Sequence, residues 1–181
     1  MINIFQNNNK VKKLKLFCDI DGTVNYHYKR IQKWTLPKWP GEKIDPQAFT
    51  REEILKDEVI PESISGLLKL SKYFEIHFLT ARNFPNAYDI TKEWLDKNGF
   101  YYESINIVSK PMDKIRFLKK NKSDLFIDDL KRCHHTEREK FYYDIIEKLI
   151  KNNIRFEIFS NNWEVITVKY SKWAKYQLKI N

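Results

Sequence analysis

Leu-Lys-Leu-Phe-Cys-Asp-Ile-Asp-Gly-Thr, residues 14–23, is the stretch from which the rest of the chain is read. An apolar run ends abruptly in two carboxylates, Asp19 and Asp21, followed at once by Gly22. Side chains two residues apart on a strand share a face, so both carboxylates can leave the strand end toward one site. Gly22 permits a sharp turn and a close approach of backbone to a ligand. Two convergent carboxylates repel each other unless a cation, a proton or a charged group lies between them. Leu125-Phe126-Ile127-Asp128-Asp129 repeats the pattern far along the chain, an apolar strand ending in paired acids. Four carboxylates at two strand ends suit a hard cation such as Mg²⁺. Either pair alone would also fit an ordinary strand-to-loop boundary, where Asp is common.

Working outward, the apolar and polar spacing alternates between strands and helices. A helix is expected over residues 61–74, with Ile64, Leu67, Leu68 and Ser71 on one stripe. Strand 75–79 follows and ends in Thr80-Ala81-Arg82. Helix 85–98 carries Tyr88, Thr91, Trp94 and Leu95 and stops at Gly99. Strand 104–108, helix 111–120, strand 124–127, helix 139–152 and strand 154–159 continue the alternation, with Trp163 and Trp173 folding back on the core. Strands separated by helices of this length imply a parallel α/β sheet of five strands with right-handed crossovers. Ligands bind such sheets beyond the carboxyl ends of the strands, where the acidic pairs fall. Residues 24–60 break the alternation. Their prolines and aromatics (Tyr26, Tyr28, Trp34, Trp39 and Phe49) read as an irregular insert with one short helix near 50–56. Those aromatics form the insert's own core or stack on a base.

Asp-Ile-Asp-Gly-Thr (19–23), Phe-Leu-Thr-Ala-Arg (78–82), Lys110-Pro111 and Phe-Ile-Asp-Asp (126–129) resemble, in order, the four motifs of the haloacid dehalogenase superfamily. The small size and the block at 124–129 resemble its 5'(3')-deoxyribonucleotidase-like branch. The phosphatase domain of polynucleotide kinase-phosphatases is a second likeness. The resemblance implies a Rossmannoid fold with a central five-stranded parallel sheet and a small cap insert after the first strand. One domain over residues 1–181 is expected, its core 14–23 plus 61–181 and its cap 24–60. By the same resemblance Asp19 is a nucleophile that forms an aspartyl-phosphate, and Asp21 is the general acid and base. Mg²⁺ is held by Asp19, the backbone carbonyl of Asp21, Asp128 and Asp129. Thr80, Ala81, Arg82 and Lys110 bind the phosphate, with Lys114 as the rival lysine. Arg82 has a second reading as the partner of a nearby acid. Arg30 stands eleven residues after Asp19, where polynucleotide phosphatases carry an arginine, although a solvated arginine is the plainer expectation.

Bulk properties set the remaining bounds. The 181 residues carry 33 Lys and Arg against 24 Asp and Glu, a net charge of +9 that attracts anions or covers a solvated surface. Cys18 and Cys133 make no disulfide framework, and Cys18 reads as a small buried hydrophobe. His134-His135 lack the spacing of a zinc site and read as loop. Asn161-Asn162-Trp163 reads as packing. No apolar run is long enough for a membrane span and no secretory leader is visible, so a cytoplasmic location is the default. The expected function is a Mg²⁺-dependent phosphomonoesterase of the nucleotidase type acting on (deoxy)nucleoside monophosphates. The alternatives are a polynucleotide 3'-phosphatase, which would use the positive charge on nucleic acid, and a non-enzymatic phosphate- or nucleic-acid-binding module.

Overall fold

The computed structural model describes residues 12–36, 43–132 and 140–180. The Asn-rich start, Pro37, Trp39, Pro40, Cys133 and His134-His135 lie outside them. In chain order the elements are β1 (Leu14–Cys18), α1 (His27–Lys33), β2 (Thr35–Leu36), β3 (Lys43–Ile44), a 3₁₀ turn at Pro46–Phe49 and α2 (Arg51–Ile54). Then come α3 (Ser63–Leu70), β4 (Phe74–Ala81), α4 (Ala87–Lys97), β5 (Ser104–Val108), α5 (Asp113–Lys120) and β6 (Leu125–Asp128). The chain closes with β7 (Lys131–Arg132), β8 (Lys140–Phe141), α6 (Tyr143–Lys151), β9 (Phe156–Ile158) and α7 (Trp163–Leu178).

Five parallel strands form the expected sheet, in the order β5-β4-β1-β6-β9. The two-residue period of β1 decides the layers. Leu16 and Cys18 face one core with Ile76, Phe78, Leu125 and Ile127, closed by Leu67 of α3, Trp94 of α4 and Trp163 and Ile166 of α7. Phe17 faces the other core with Leu79 and Phe126, closed by Ile115 and Leu118 of α5 and Ile145 and Leu149 of α6. Each fully buried side chain of this size contributes about 1.5–3 kcal/mol. Among the described residues, no helix is long and apolar enough to cross a membrane.

The helical stripes depart from expectation in two places. Leu68 is exposed, and α3 instead buries Ser63, Gly66, Leu67 and Leu70. Gly66 sits against Thr167 and Trp163, where a Cβ would meet Thr167 Oγ1 at 2.8 Å, so α3 and α7 pack closely there. Tyr88 is exposed as well, and α4 buries Ala87 and Ile90 with Thr91, Trp94 and Leu95.

The insert is more ordered than its sequence suggests. Helix α1 is unexpected, because its buried positions are His27, Arg30 and Ile31. Two of those three are polar, which hides the apolar period that sequence reading depends on. The 7%-exposed Arg30 is not solvated: its Nε and Nη2 donate to Asp57 at 2.9 and 3.0 Å, and Nη1 donates to the Ala48 carbonyl at 2.6 Å. Trp34 donates its indole N–H to Glu53 at 2.9 Å, and Tyr26 packs edge-on to Tyr28. These rings hold the insert together.

Candidate active site

The strand ends build the site. Asp19 and Asp128 follow Phe17 and Phe126 by two residues, so strand alternation carries both toward the α5 side of the sheet. Asp19 N–H donates to the Ile127 carbonyl at 2.8 Å, which sets the two strand ends level. Asp19, Asp128 and Asp129 are all buried, and each offers an oxygen within 4.8 Å of the others. Lys114, in the first turn of α5, lies 2.8 Å from Asp19 Oδ1 and 2.7 Å from Asp128 Oδ2. Of the two candidate lysines, Lys114 is the one that lies against the strand-end carboxylates. Lys110 is exposed in the loop before α5 and does not line the cavity.

Backbone groups fix the carboxylates. Asp128 Oδ1 accepts from Leu130 N–H at 2.7 Å, and Asp129 Oδ1 accepts from Lys131 N–H at 3.1 Å. Asp129 N–H donates to Thr23 Oγ1 at 3.1 Å, and the Thr23 carbonyl accepts the Trp163 indole N–H at 3.0 Å. Gly22 has φ +79°, and a Cβ there would overlap Asp129 Oδ2. Only glycine leaves room for that carboxylate. Trp163, read in the sequence as packing, thus also holds the motif-one loop.

The remaining acid is held apart. Asp21 is outside the three-carboxylate cluster, and its main chain lies in the turn after Asp19. Arg82 Nε and Nη2 donate to its two oxygens at 3.0 and 2.8 Å, while Arg82 Nη1 donates to Thr91 Oγ1 at 2.7 Å. Asn25 bridges Asp21 and Asp57 at 3.3 and 3.0 Å, and Arg30 Nη2 lies 3.9 Å from Asp21 Oδ1. Burial alone would raise the Asp21 carboxyl, but Arg82, His27 and Arg30 outweigh it and hold the group well below the usual range. Burial and then Asp128 push Asp19 up to about 7 against the opposing pull of Lys114. Burial, Asp128 and Asp19 likewise raise Asp129. Lys114 is raised, since Asp128 and Asp19 outweigh its burial. The structure thus gives Arg82 to Asp21, the second of its two readings.

These groups floor a cavity of about 480 Å³, whose lining includes buried Thr80 and half-buried Ala81. One wall comes from the insert and the loop after β4, where Phe49 stacks on Phe84 at 5.6 Å between centroids. Another part of the wall comes from Lys131, Arg132, Tyr142 and Ile145. Phe49 was seen in the sequence only as an insert aromatic. The second wall was not foreseen, because β7 and β8 are two residues each, too short for any period to register. Three carboxylates, an ammonium group and a hydroxyl converging on one cavity can bind a divalent cation and a phosphoryl group.

No model of a known protein family matches the sequence, and no curated protein matches it either. A haloacid dehalogenase-like family hydrolase from Streptococcus pneumoniae superposes with a TM-score of 0.56 at 13% identity, covering 87% of this chain and 90% of that one. A structure of a Pnkp1/Rnl/Hen1 complex matches at TM-score 0.41 and 17% identity, over 67% of this chain and 40% of the other. A haloacid dehalogenase-like hydrolase from Xanthomonas campestris gives 0.39 and 12%, over 64% and 74%. The Streptococcus likeness shows the fold, a haloacid dehalogenase-like Rossmannoid core with a cap insert, and the two looser ones add nothing to it.

Proposed function

We propose that this chain is a Mg²⁺-dependent phosphomonoesterase for nucleotide-sized substrates, nucleoside monophosphates among them, working through an aspartyl-phosphate. The observation that supports this most is the convergence of Asp19, Asp128 and Asp129 with Lys114 on the cavity floor. A divalent cation fits the donor set. Five acidic side chains (Asp19, Asp21, Asp57, Asp128 and Asp129) meet three buried guanidinium or ammonium groups (Arg30, Arg82 and Lys114), so the acids outnumber the fixed cations by two. Asp19, Asp128 and Asp129 would hold the ion, joined by the Asp21 carbonyl that the sequence resemblance implies. When bound, the ion would neutralise charge on the phosphoryl oxygens.

The chain's own groups do the rest. Asp19 attacks phosphorus and displaces the substrate alkoxide, which takes a proton from Asp21. Water then attacks the aspartyl-phosphate, Asp21 accepts its proton, and phosphate leaves with the Asp19 carboxylate restored. Lys114 orients Asp19 and places a positive charge beside the transferring group. The Thr80 hydroxyl and the Ala81 main-chain N–H donate to phosphoryl oxygens. Arg82 aims Asp21 and keeps it ionised, ready as the base. Its service as an acid requires the substrate to loosen that pair.

Turnover of p-nitrophenyl phosphate and of deoxynucleoside monophosphates, with Mg²⁺ and with EDTA, tests the reading. Activity is expected only with Mg²⁺ and none in Asp19→Asn. Asp21→Asn should lose about 10²–10⁴-fold on the nucleotide in the first step. It should lose far less on nitrophenolate, which departs with little help. Failure to hydrolyse any phosphate monoester with Mg²⁺ would leave the chain as a binding module.

A further inference from the structure

Resting on that reading, we infer that Arg132 of β7, set against Tyr142, forms a second anion subsite. The preferred substrate is then a nucleotide bearing another phosphate besides the one hydrolysed. Every buried cation around the cavity is already committed: Arg30 to Asp57, Arg82 to Asp21, and Lys114 to Asp19 and Asp128. Arg132 differs. It lines the cavity and is exposed, and among the described residues it pairs with no carboxylate. Its guanidinium lies 5.6 Å from the Tyr142 ring centroid. A cation–π contact of that kind holds the guanidinium in place without using its N–H donors, which can then meet an oxyanion.

The backbone shows how the hairpin is aimed. Leu130 takes φ +50°, uncommon for a branched residue, and buries its side chain. Asp128 Oδ1 holds the Leu130 N–H, and the Leu130 carbonyl accepts from Tyr142 N–H at 2.8 Å. The chain therefore turns immediately after the catalytic acids, and its next two residues, Lys131 and Arg132, become cavity wall. Arg132 lies four positions after Asp128, a span of at most about 14 Å. The guanidinium belongs beside the reacting phosphate's pocket, where an adjoining phosphate of the same substrate would lie. A cavity of about 480 Å³ has room for such a ligand. The stacked Phe49–Phe84 wall offers an apolar face for the rest of it.

Four substrates separate the possibilities: p-nitrophenyl phosphate, a deoxynucleoside 3'-monophosphate, the 3',5'-bisphosphate, and a 3'-phosphorylated oligonucleotide. The wild type should favour the bisphosphate, the oligonucleotide or both over the monophosphate by about 10- to 100-fold, mainly through KM. Equal preference for both identifies a single added phosphate as sufficient. Preference for the oligonucleotide alone identifies a strand end. Arg132→Gln should bring the ratio close to one, and Arg132→Lys should restore part of it. Calorimetric binding of the bisphosphate and monophosphate to Asp19→Asn should show the same ratio without turnover. Equal wild-type use of the monophosphate, the bisphosphate and the oligonucleotide, or an undiminished ratio in Arg132→Gln, overturns the subsite and leaves the phosphomonoesterase reading intact. No turnover of any of the four overturns both.

Discussion

Lys114 shows how much one position on a helix can change a site. It shares the buried face of α5 with Ile115 and Leu118, and a lysine on such a stripe is the signal that sequence reading could have used. The Lys110-Pro111 pair drew the assignment to Lys110 by pattern. The loop between β5 and α5 carries that residue outward, and only the first helical turn points a side chain back at the strand ends. Asp19, Asp128 and Asp129 were legible because an apolar run ending in paired acids is a local pattern. The Arg82–Asp21 pair needed two strand ends at their final spacing and stayed one of two readings. Lys114→Met should be severe for stability, since it leaves the Asp19 and Asp128 carboxylates buried without their cation. Loss of one partner from a buried pair costs about 3–5 kcal/mol. Urea unfolding in EDTA is the measurement; a loss under about 1 kcal/mol would show that solvent or protonation relieves the two acids.

At the scale of elements, the strands and most helices follow from local periodicity, and the insert does not. Helix α1 is held by Arg30 and Asp57, a buried bidentate pair that also ties residues 27–33 to the Ala48 carbonyl. No hydrophobic pattern announces an element anchored by charge. Arg30→Met should therefore destabilise the protein by about 3–5 kcal/mol by stranding Asp57. Adding Asp57→Asn removes the stranded charge, so the double variant should lose much less stability than the sum of the two single losses. Thermal or urea unfolding of the four proteins completes the cycle. Strict additivity would mean that the pair contributes no coupling, and that α1 is held by packing alone.

For the molecule as a whole, five strands and their direction were readable, since helix-length connections impose parallel pairing. The order β5-β4-β1-β6-β9 was not, because neighbours in a sheet are chosen by tertiary packing. That order places β1 between β4 and β6, so all the acidic and motif-two residues meet at one edge. The excess of acidic groups over fixed cations there should make the native state bind a divalent cation that the unfolded chain does not. At a hundred times its dissociation constant, Mg²⁺ would add about 2.7 kcal/mol. For this chain length that raises Tm by about 5–10 °C. Thermal scans with Mg²⁺ and EDTA measure the shift, which Asp128→Ala should abolish; an equal shift in that variant would place the ion elsewhere. The Trp163–Thr23 hydrogen bond joins residues 140 apart in sequence. Closing so long a loop is entropically slow, and its reward comes only after both ends have found the sheet. During synthesis the motif-one turn thus waits, unbraced, for a helix near the far end of the chain. The proposed ion site is accordingly expected to form only after α7 docks, and the part of the indole emission that Trp163→Phe removes would time that event.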